Sequence, residues 1–274
     1  GRFPLSGVSS ENTYSSTVYD KGALIAMSLK TYMGDSLFYS SVQRLLRDFA
    51  FSNIDSYTLR DSLSAYSGID LTDFFSYYVF DTITHHFSIE SCSFSENSAK
   101  VKITSRTESN SNSPCANIRI PITFMDSTFN RYDAMIIDNG TREEHNFSLP
   151  FTPIAAFLDF DEEFFDLTTD SYKFISKPGN YEFKNSYFKA NVNSCQDSIL
   201  IRPTLHWVGE NQEQLPEGVN RFSQKHYWTI EGVNLDKADI DAKFYFKISF
   251  SERDFDNSLL AEYSAKDSLM LFYI

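Results

Sequence analysis

The N-terminal part of the chain has the hydrophobic pattern of a helical segment. Between Lys21 and about Phe80 the apolar residues recur at helical spacing, most clearly in Phe38, Val42, Leu45, Leu46 and Phe49. Gly34 and Gly68 are suited to the left-handed conformation in which helices end, and Asp55 or Ser56 is suited to cap a helix start. The pattern predicts four helices, at about residues 20–32, 35–49, 56–66 and 71–80.

After His85 and His86 the hydrophobic period changes towards two, which is typical of strands with one buried face. Turns rich in serine and asparagine separate the apolar runs, which lie at 87–89, 101–103, 118–122, 135–137 and 147–149. A second series follows Lys177-Pro178-Gly179, with runs at 199–201, 204–208, 227–230, 244–248 and 269–272. Both series favour small antiparallel sandwiches.

The predicted fold class is therefore α+β and multidomain, with a short all-α helical segment followed by two antiparallel β-sandwich domains. The expected division is 1–87 for the helical segment, 88–167 for the first sandwich and 168–274 for a second, Ig-like sandwich. No internal repeat of fixed period is found, so a solenoid is not expected.

Composition and charge exclude some classes of function. The chain has 274 residues, of which 42% are hydrophobic, so it can build sizeable cores. Its 24 Lys and Arg against 37 Asp and Glu give a net charge of −13, and no basic run is present, so no nucleic-acid partner is expected. The longest apolar stretch, Phe74 to Phe80, is far shorter than the roughly 20 residues of a membrane span. No transmembrane segment is expected.

The cysteines and the first residues suggest a processed or truncated chain with few covalent constraints. Cys92, Cys115 and Cys195 show no CxxC spacing, which argues against a zinc ribbon and leaves open whether Cys92 and Cys115 pair or remain thiols. The chain opens Gly-Arg-Phe-Pro without an initiator methionine, so we expect a fragment of a longer protein. Its many Asn, Ser, Tyr and Phe residues are typical of bacterial exported proteins.

No complete catalytic or metal-binding motif occurs among the histidines and acidic residues. None of the five histidines forms HExxH, and His85 and His86 would point to opposite faces of a strand, which favours surface or interdomain packing over metal binding. His206 and His226, near tryptophans, are predicted to pack and to hydrogen-bond. The acidic run 159–163 predicts a solvated turn, with a calcium contact as the alternative. Residue types alone indicate a helical-plus-β binding module.

The stretch Tyr14-Ser15-Ser16-Thr17-Val18-Tyr19-Asp20-Lys21-Gly22-Ala23 leads directly into the first apolar helix and changes this interpretation. A series of short motifs then follows in order. These are Tyr19-Asp20-Lys21-Gly22, Gly34-Asp35, Phe38, Phe51, Ser67-Gly68 and Leu71-Thr72-Asp73-Phe74-Phe75. Over about residues 12–85 the series resembles the gluzincin zinc aminopeptidases, the family of aminopeptidase N and leukotriene hydrolase.

The resemblance assigns roles to particular residues. Tyr19 matches the family tyrosine whose hydroxyl faces the zinc-bound tetrahedral intermediate. A phenol with an ordinary pKa of about 10 is a neutral donor at neutral pH, so it can hydrogen-bond a developing oxyanion. Tyr14 matches a second tyrosine that lines the cleft in the leukotriene hydrolase branch. Lys21 is expected to have no chemical role, and Gly22 is expected to permit close helix packing.

The resemblance also implies a zinc cofactor in the full-length parent. The zinc ligands of the family, in an HExxH helix and the helix after it, would lie upstream of Gly1, so no metal site is expected in this chain. The parent is expected to hydrolyse N-terminal residues from peptides, and this chain alone is expected to be inactive. The parent is expected to be secreted, periplasmic or on the cell surface.

Two other functions stay open at this point. A non-catalytic relative would keep the architecture for adhesion or assembly after losing the zinc motif. A free-standing module would bind protein or carbohydrate through residues 88–274 without the helices. Envelope or glycan partners of the β-domains belong to these expectations. An upstream sequence with or without HExxH would separate the first alternative from an active enzyme.

Overall fold

The computed structural model describes residues 3–15, 17–107, 117–140, 144–209, 222, 223, 225–245 and 271. The chain divides into two compact units, unit 1 (Gly1–Leu167) and unit 2 (Thr168–Ile274). Within the described residues, no helix is both long enough and apolar enough to cross a membrane.

The α-helices in the described part of unit 1 lie close to the predicted positions. They are α1 (Gly22–Met33), α2 (Asp35–Asp48), α3 (Ser56–Ser67) and α4 (Thr72–Tyr78). The Asp55 carboxylate caps α3 by accepting a hydrogen bond of 2.7 Å from the backbone N–H of Thr58. Gly68 ends the same helix in the left-handed conformation, at φ 73°. These local signals made the helix boundaries predictable.

Two antiparallel sheets follow the helices in unit 1. The strands are β1 (His85–Ser95), β2 (Ser98–Thr107), β3 (Ile118–Met125), β4 (Arg131–Asp138), β5 (Glu144–Ser148) and β6 (Ala155–Leu158). One sheet has the order β1-β2-β5 and the other β4-β3-β6. The rings of Phe124 on β3 and Phe147 on β5 lie 4.9 Å apart, so the two sheets pack face to face.

The helices and sheets of unit 1 share one hydrophobic core. Phe74 in α4 is fully buried, and its ring lies 5.1 Å from Tyr32 of α1 and 4.9 Å from Tyr78. Strand residues complete the core, among them Val101, Ile103, Ile118, Ile120 and Ile122. The core includes residues on both sides of positions 87 and 88, where the sequence predicts a domain boundary. That boundary stays a prediction.

Side chains of α1 attach the helix to the segments around the sheets of unit 1. The pairs are Ser28 Oγ with the Phe165 N–H (2.7 Å), Thr31 Oγ1 with Glu163 Oε2 (2.9 Å), and Tyr32 Oη with the Asn117 carbonyl (2.8 Å). In the last pair the buried tyrosine hydroxyl is the donor. Burial raises the pKa of Tyr32 to about 12, and the nearby Arg119 offsets part of this effect.

The raised pKa of Tyr32 predicts a loss of stability at alkaline pH. Below pH 10 the hydroxyl is protonated in both states, whereas between pH 10.0 and about 12 only the unfolded chain releases the proton. The free energy of unfolding is therefore expected to fall across this window, with an upper limit of about 2 to 3 kcal/mol from this group. Urea unfolding followed by circular dichroism at several alkaline pH values measures the slope.

The test compares how steeply the free energy of unfolding falls with pH in different variants, because other groups also titrate in this range. Tyr32→Phe is expected to lose less stability than the wild type as pH rises, although its stability is lower at neutral pH because the hydrogen bond is absent. Tyr39→Phe, at an exposed tyrosine of α2, is the matched control and should follow the wild type. Equal slopes for all three proteins would contradict the prediction.

Unit 2 contains two further antiparallel sheets. The strands are β7 (Thr168–Asp170), β8 (Lys173–Ile175), β9 (Gly179–Phe183), β10 (Phe188–Cys195), β11 (Ile199–His206), β12 (Tyr227–Val233) and β13 (Ala238–Phe244). One sheet has the order β13-β10-β9, and the other has β12-β11-β7, with β8 also paired to β11. Phe183, Phe188 and Val192 from the first sheet share a core with Ile175 and Ile201 from the second. This arrangement is a second sandwich.

The central strand β11 is buried along its whole length. One face supplies apolar core residues, and the other carries Arg202, which forms ion pairs with Asp170 and, at 3.6 Å, with Glu231. Asp170 is on β7 and Glu231 is directly opposite Arg202 on β12. Burial raises the pKa of Glu231, and Arg202 offsets part of this effect.

The predicted fold class, helices followed by antiparallel sandwiches, is confirmed. The second β-series begins earlier than predicted, because β7 to β10 precede the run at 199–201. The run predicted at 269–272 lies outside the described residues apart from Leu271. The domain boundaries and the Ig-like character of residues 168–274 stay predictions.

Candidate functional site

The motif Tyr19-Asp20-Lys21-Gly22 begins in an unusual turn. Residues Thr17–Lys21 form a single π-helical turn that runs directly into α1. The backbone N–H groups of Val18 and Tyr19 donate to the Ser15 carbonyl at 3.0 and 3.2 Å and close the turn at its start. Turns of this type are rare and often occur at functional sites, because they direct side chains differently from an α-helix.

The structure brings together the two tyrosines that the sequence singled out. Tyr14 is 85% exposed and Tyr19 is 58% exposed. Their ring centroids lie 6.3 Å apart with an interplanar angle of 26°, so the rings are roughly stacked. Two exposed aromatic rings at the N-terminus of α1 form a surface that can contact a ligand, with phenol groups that can donate hydrogen bonds.

The opposite side of the π turn is buried. Thr17 and Lys21 are each almost inaccessible, and the Lys21 ammonium lies 3.5 Å from the backbone carbonyl of Asp81. A Cβ added to Gly22 would meet only Leu5, at an ordinary contact distance of 3.9 Å. The turn therefore presents Tyr19 outwards while its other side is packed into unit 1.

The histidines have packing roles in the structure. His85 and His86 start β1 and are both buried, so of the two predicted locations, the surface or an interdomain contact, the surface is excluded. The His85 ring packs edge-on against Tyr77 at 5.1 Å, and burial lowers the pKa of His85. In unit 2 the His206 ring stacks on Tyr227 at 4.3 Å, and the His226 ring packs edge-on against Trp228. The packing predicted for His206 and His226 is confirmed.

The acidic run 159–163 is engaged with neighbouring groups of unit 1. The Asp159 carboxylate accepts hydrogen bonds of 2.9 Å from the N–H groups of Glu163 and Phe164. Asp161 pairs with Arg131, and the Glu163 carboxylate contacts Lys30 and Thr31. Asp159 therefore orders the turn itself, and Asp161 and Glu163 attach it to β4 and α1.

Across the described ranges, no three His, Cys, Asp or Glu side chains come close enough to hold a metal ion. The resemblance assigns the zinc ligands to residues outside this chain, so we assign no catalytic step here to a metal. Cys115 is not described, so the pairing of Cys92 with Cys115 stays open.

The tyrosine-bearing turn and the four helices after it lie within a segment that matches a known protein family. Residues 6–78 match the model of the peptidase family M1 domain. This match confirms the resemblance to the gluzincin aminopeptidases.

Other comparisons are more distant. The crystal structure of Legionella pneumophila aminopeptidase A in complex with aspartic acid is similar to this chain with a TM-score of 0.44 and 18% identity. The similarity covers 57% of this chain and spans 18% of the length of that chain. No curated protein matches the chain.

Two features of the site escaped the sequence interpretation. The π turn has no residue signature, since it differs from an α-helix only in its hydrogen-bond pattern. The burial of Lys21 was also missed, because a lysine at the start of a helix is normally solvated. Its partner, the Asp81 carbonyl, is 60 residues away in sequence, so local spacing carried no signal for the contact.

Proposed function

We propose that this chain is the C-terminal part of a zinc aminopeptidase that removes N-terminal residues from peptides. The observation that carries the proposal is the family M1 match over residues 6–78, which includes the exposed Tyr19 on its π turn. The zinc ligands would be supplied by other residues of the parent, and this chain alone would be inactive. Export of the parent to the periplasm, the cell surface or the medium stays part of the proposal.

In this function Tyr19 stabilises the oxyanion that forms when water adds to the scissile carbonyl. Its phenol O–H donates a hydrogen bond to the carbonyl oxygen, which carries more negative charge in the tetrahedral intermediate than in the substrate. The N-terminus of α1 lies directly after the turn, and its positive potential favours negative charge in this region. Tyr14, stacked beside Tyr19, would contact the substrate as part of the cleft.

The test uses the parent chain extended to include its zinc-binding segment. Tyr19→Phe removes the donor and keeps the ring, so kcat for a leucine anilide is expected to fall by about 10² to 10³, with zinc content and folding unchanged. Steady-state kinetics, atomic absorption and circular dichroism measure the three quantities. Tyr39→Phe, at an exposed tyrosine of α2, is the matched control and should retain full activity.

Other results of the same assays would contradict the role of Tyr19, the catalytic function of the parent or the role of Tyr14. Full activity of Tyr19→Phe would remove Tyr19 from catalysis. A parent that binds no zinc and hydrolyses no peptide would be a non-catalytic relative. In the same assay Tyr14→Ala should raise KM if Tyr14 contacts the substrate, and unchanged constants would exclude that role.

A further inference from the structure

Lys21 occupies an environment that is unusual for a lysine. Its side chain is only 5% exposed, and Nζ lies 3.5 Å from the carbonyl oxygen of Asp81. Removing an ammonium group from water costs several kcal/mol unless polar groups compensate, which is why lysine is rarely buried. The contact with the carbonyl dipole supplies part of this compensation, and it links the start of α1 to the segment that follows α4.

The Asp81 carbonyl is part of a well-supported anchor. The Asp81 carboxylate accepts hydrogen bonds from the N–H groups of Thr82 (2.6 Å) and Ile83 (3.2 Å), which fixes this turn. Two residues earlier the Val79 carbonyl accepts from the Ser6 N–H at 3.0 Å. The end of α4 therefore holds two N-terminal segments, one through Ser6 and one through Lys21.

Lys21 and Tyr19 belong to the same π turn and lie on opposite sides of it. Tyr19 is largely exposed, whereas Lys21 and Thr17 are buried. A π turn is wider than an α turn and persists only where its surroundings favour it. Because residues of one turn move together, a fixed Lys21 restricts the directions that the Tyr19 side chain can take.

We propose that Lys21 is a positioning residue for Tyr19. Its ammonium holds the π turn against the Asp81 carbonyl and so sets the direction of the Tyr19 phenol. The anchoring is a property of this chain by itself. Its consequence for catalysis rests on the proposed function, in which the Tyr19 O–H must point at an oxyanion.

The anchoring is tested on this chain with fluorotyrosine incorporated at all tyrosines and fluorine NMR. The Tyr19 signal is identified by its loss in Tyr19→Phe. Lys21→Met keeps the aliphatic stem and removes the charge, and it is expected to shift or broaden the Tyr19 signal while signals of buried tyrosines remain. Lys30→Met is the matched control, since Lys30 lies on α1 but pairs with Asp35 and Glu163. It should leave the Tyr19 signal unchanged.

An unchanged Tyr19 signal in a folded Lys21→Met protein would overturn the proposal. If Lys21→Met does not fold, Lys21→Arg decides the question. The guanidinium keeps the positive charge but has a different shape, so the Tyr19 signal alone is expected to move. A Tyr19 signal identical to that of the wild type in Lys21→Arg would then reject the anchoring.

The catalytic consequence is tested in the extended parent by a double-mutant cycle. Lys21→Met is expected to lower kcat by about 10- to 100-fold with KM nearly unchanged, because misplaced groups lose transition-state contacts. In the Tyr19→Phe background it should have no further effect. Equal losses in both backgrounds would show a general structural role instead. If Tyr19→Phe itself keeps full activity, Tyr19 has no catalytic role for Lys21 to support, while the fluorine spectra still decide whether Lys21 holds the turn.

Discussion

Phe74→Ala is expected to lower the free energy of unfolding of unit 1 by about 3–5 kcal/mol. Phe74 is fully buried in α4 and contacts the rings of Tyr32, Phe75 and Tyr78. Truncation removes the apolar contacts and leaves a cavity that rigid aromatic neighbours cannot fill. Denaturant unfolding followed by far-ultraviolet circular dichroism reports on unit 1, since the described α-helices all lie there.

Phe51→Ala is the matched control for this prediction. Phe51 lies in the loop after α2, is fully exposed and has a positive φ of 61°. Alanine loses no buried contact there and shares the same backbone preference, so the stability should change by less than about 0.5 kcal/mol. Similar losses of stability for the two variants would contradict the conclusion that the buried contacts of Phe74 stabilise unit 1.

Arg202→Met is expected to lower the free energy of unfolding of unit 2 by about 3–5 kcal/mol at neutral pH. The substitution keeps the volume of the side chain but leaves the buried Asp170, and the half-buried Glu231 beside it, without their counter-charge. The deficit should shrink at acidic pH, where the carboxylates of the folded variant take up protons. Tryptophan fluorescence measures this unit selectively, because Trp207 and Trp228 are the two tryptophans of the chain.

Arg131→Met tests whether burial is the cause of the large loss of stability expected for Arg202→Met. Arg131 also lies between two carboxylates, Asp133 and Asp161, but it is partly exposed at the surface of unit 1. Water can solvate the carboxylates after the substitution, so the expected loss is at most about 1 kcal/mol. It is measured by circular dichroism, since unit 1 contains no tryptophan. Comparable losses at both arginines would show that burial does not control the cost.

Local sequence signals accounted for the helical half of unit 1. The Asp55 cap and the glycines at Gly34 and Gly68 act on their immediate neighbours, so their effects can be recognised without tertiary information. Gly68 takes the left-handed helical conformation that was predicted, whereas Gly34 has a positive φ of 78° but an extended ψ of 146°. Tyr19 was singled out by the motif that surrounds it, and the structure added that Tyr14 stacks beside it.

The missed strands of unit 2 lacked such local signals. β7 and β8 are three residues long, which is too short to show a period. On β10 the buried residues include Ala190, which is a weak hydrophobic signal, and its neighbours Asn191 and Asn193 are typical of turns. These residues are held in a strand by pairing on both sides, with β9 and β13, and such pairing depends on distant segments.

The common core of the helices and sheets in unit 1 also limits where gene rearrangement can divide this part of the chain. Phe164 and Phe165, after β6, pack their rings against Tyr78 of α4 at 5.7 and 6.4 Å. A gene rearrangement that separated the helices from the strands would expose α4 and its aromatic neighbours to water. We therefore expect the helices and both sheets of unit 1 to be exchanged between proteins as one module, with recombination breakpoints outside it.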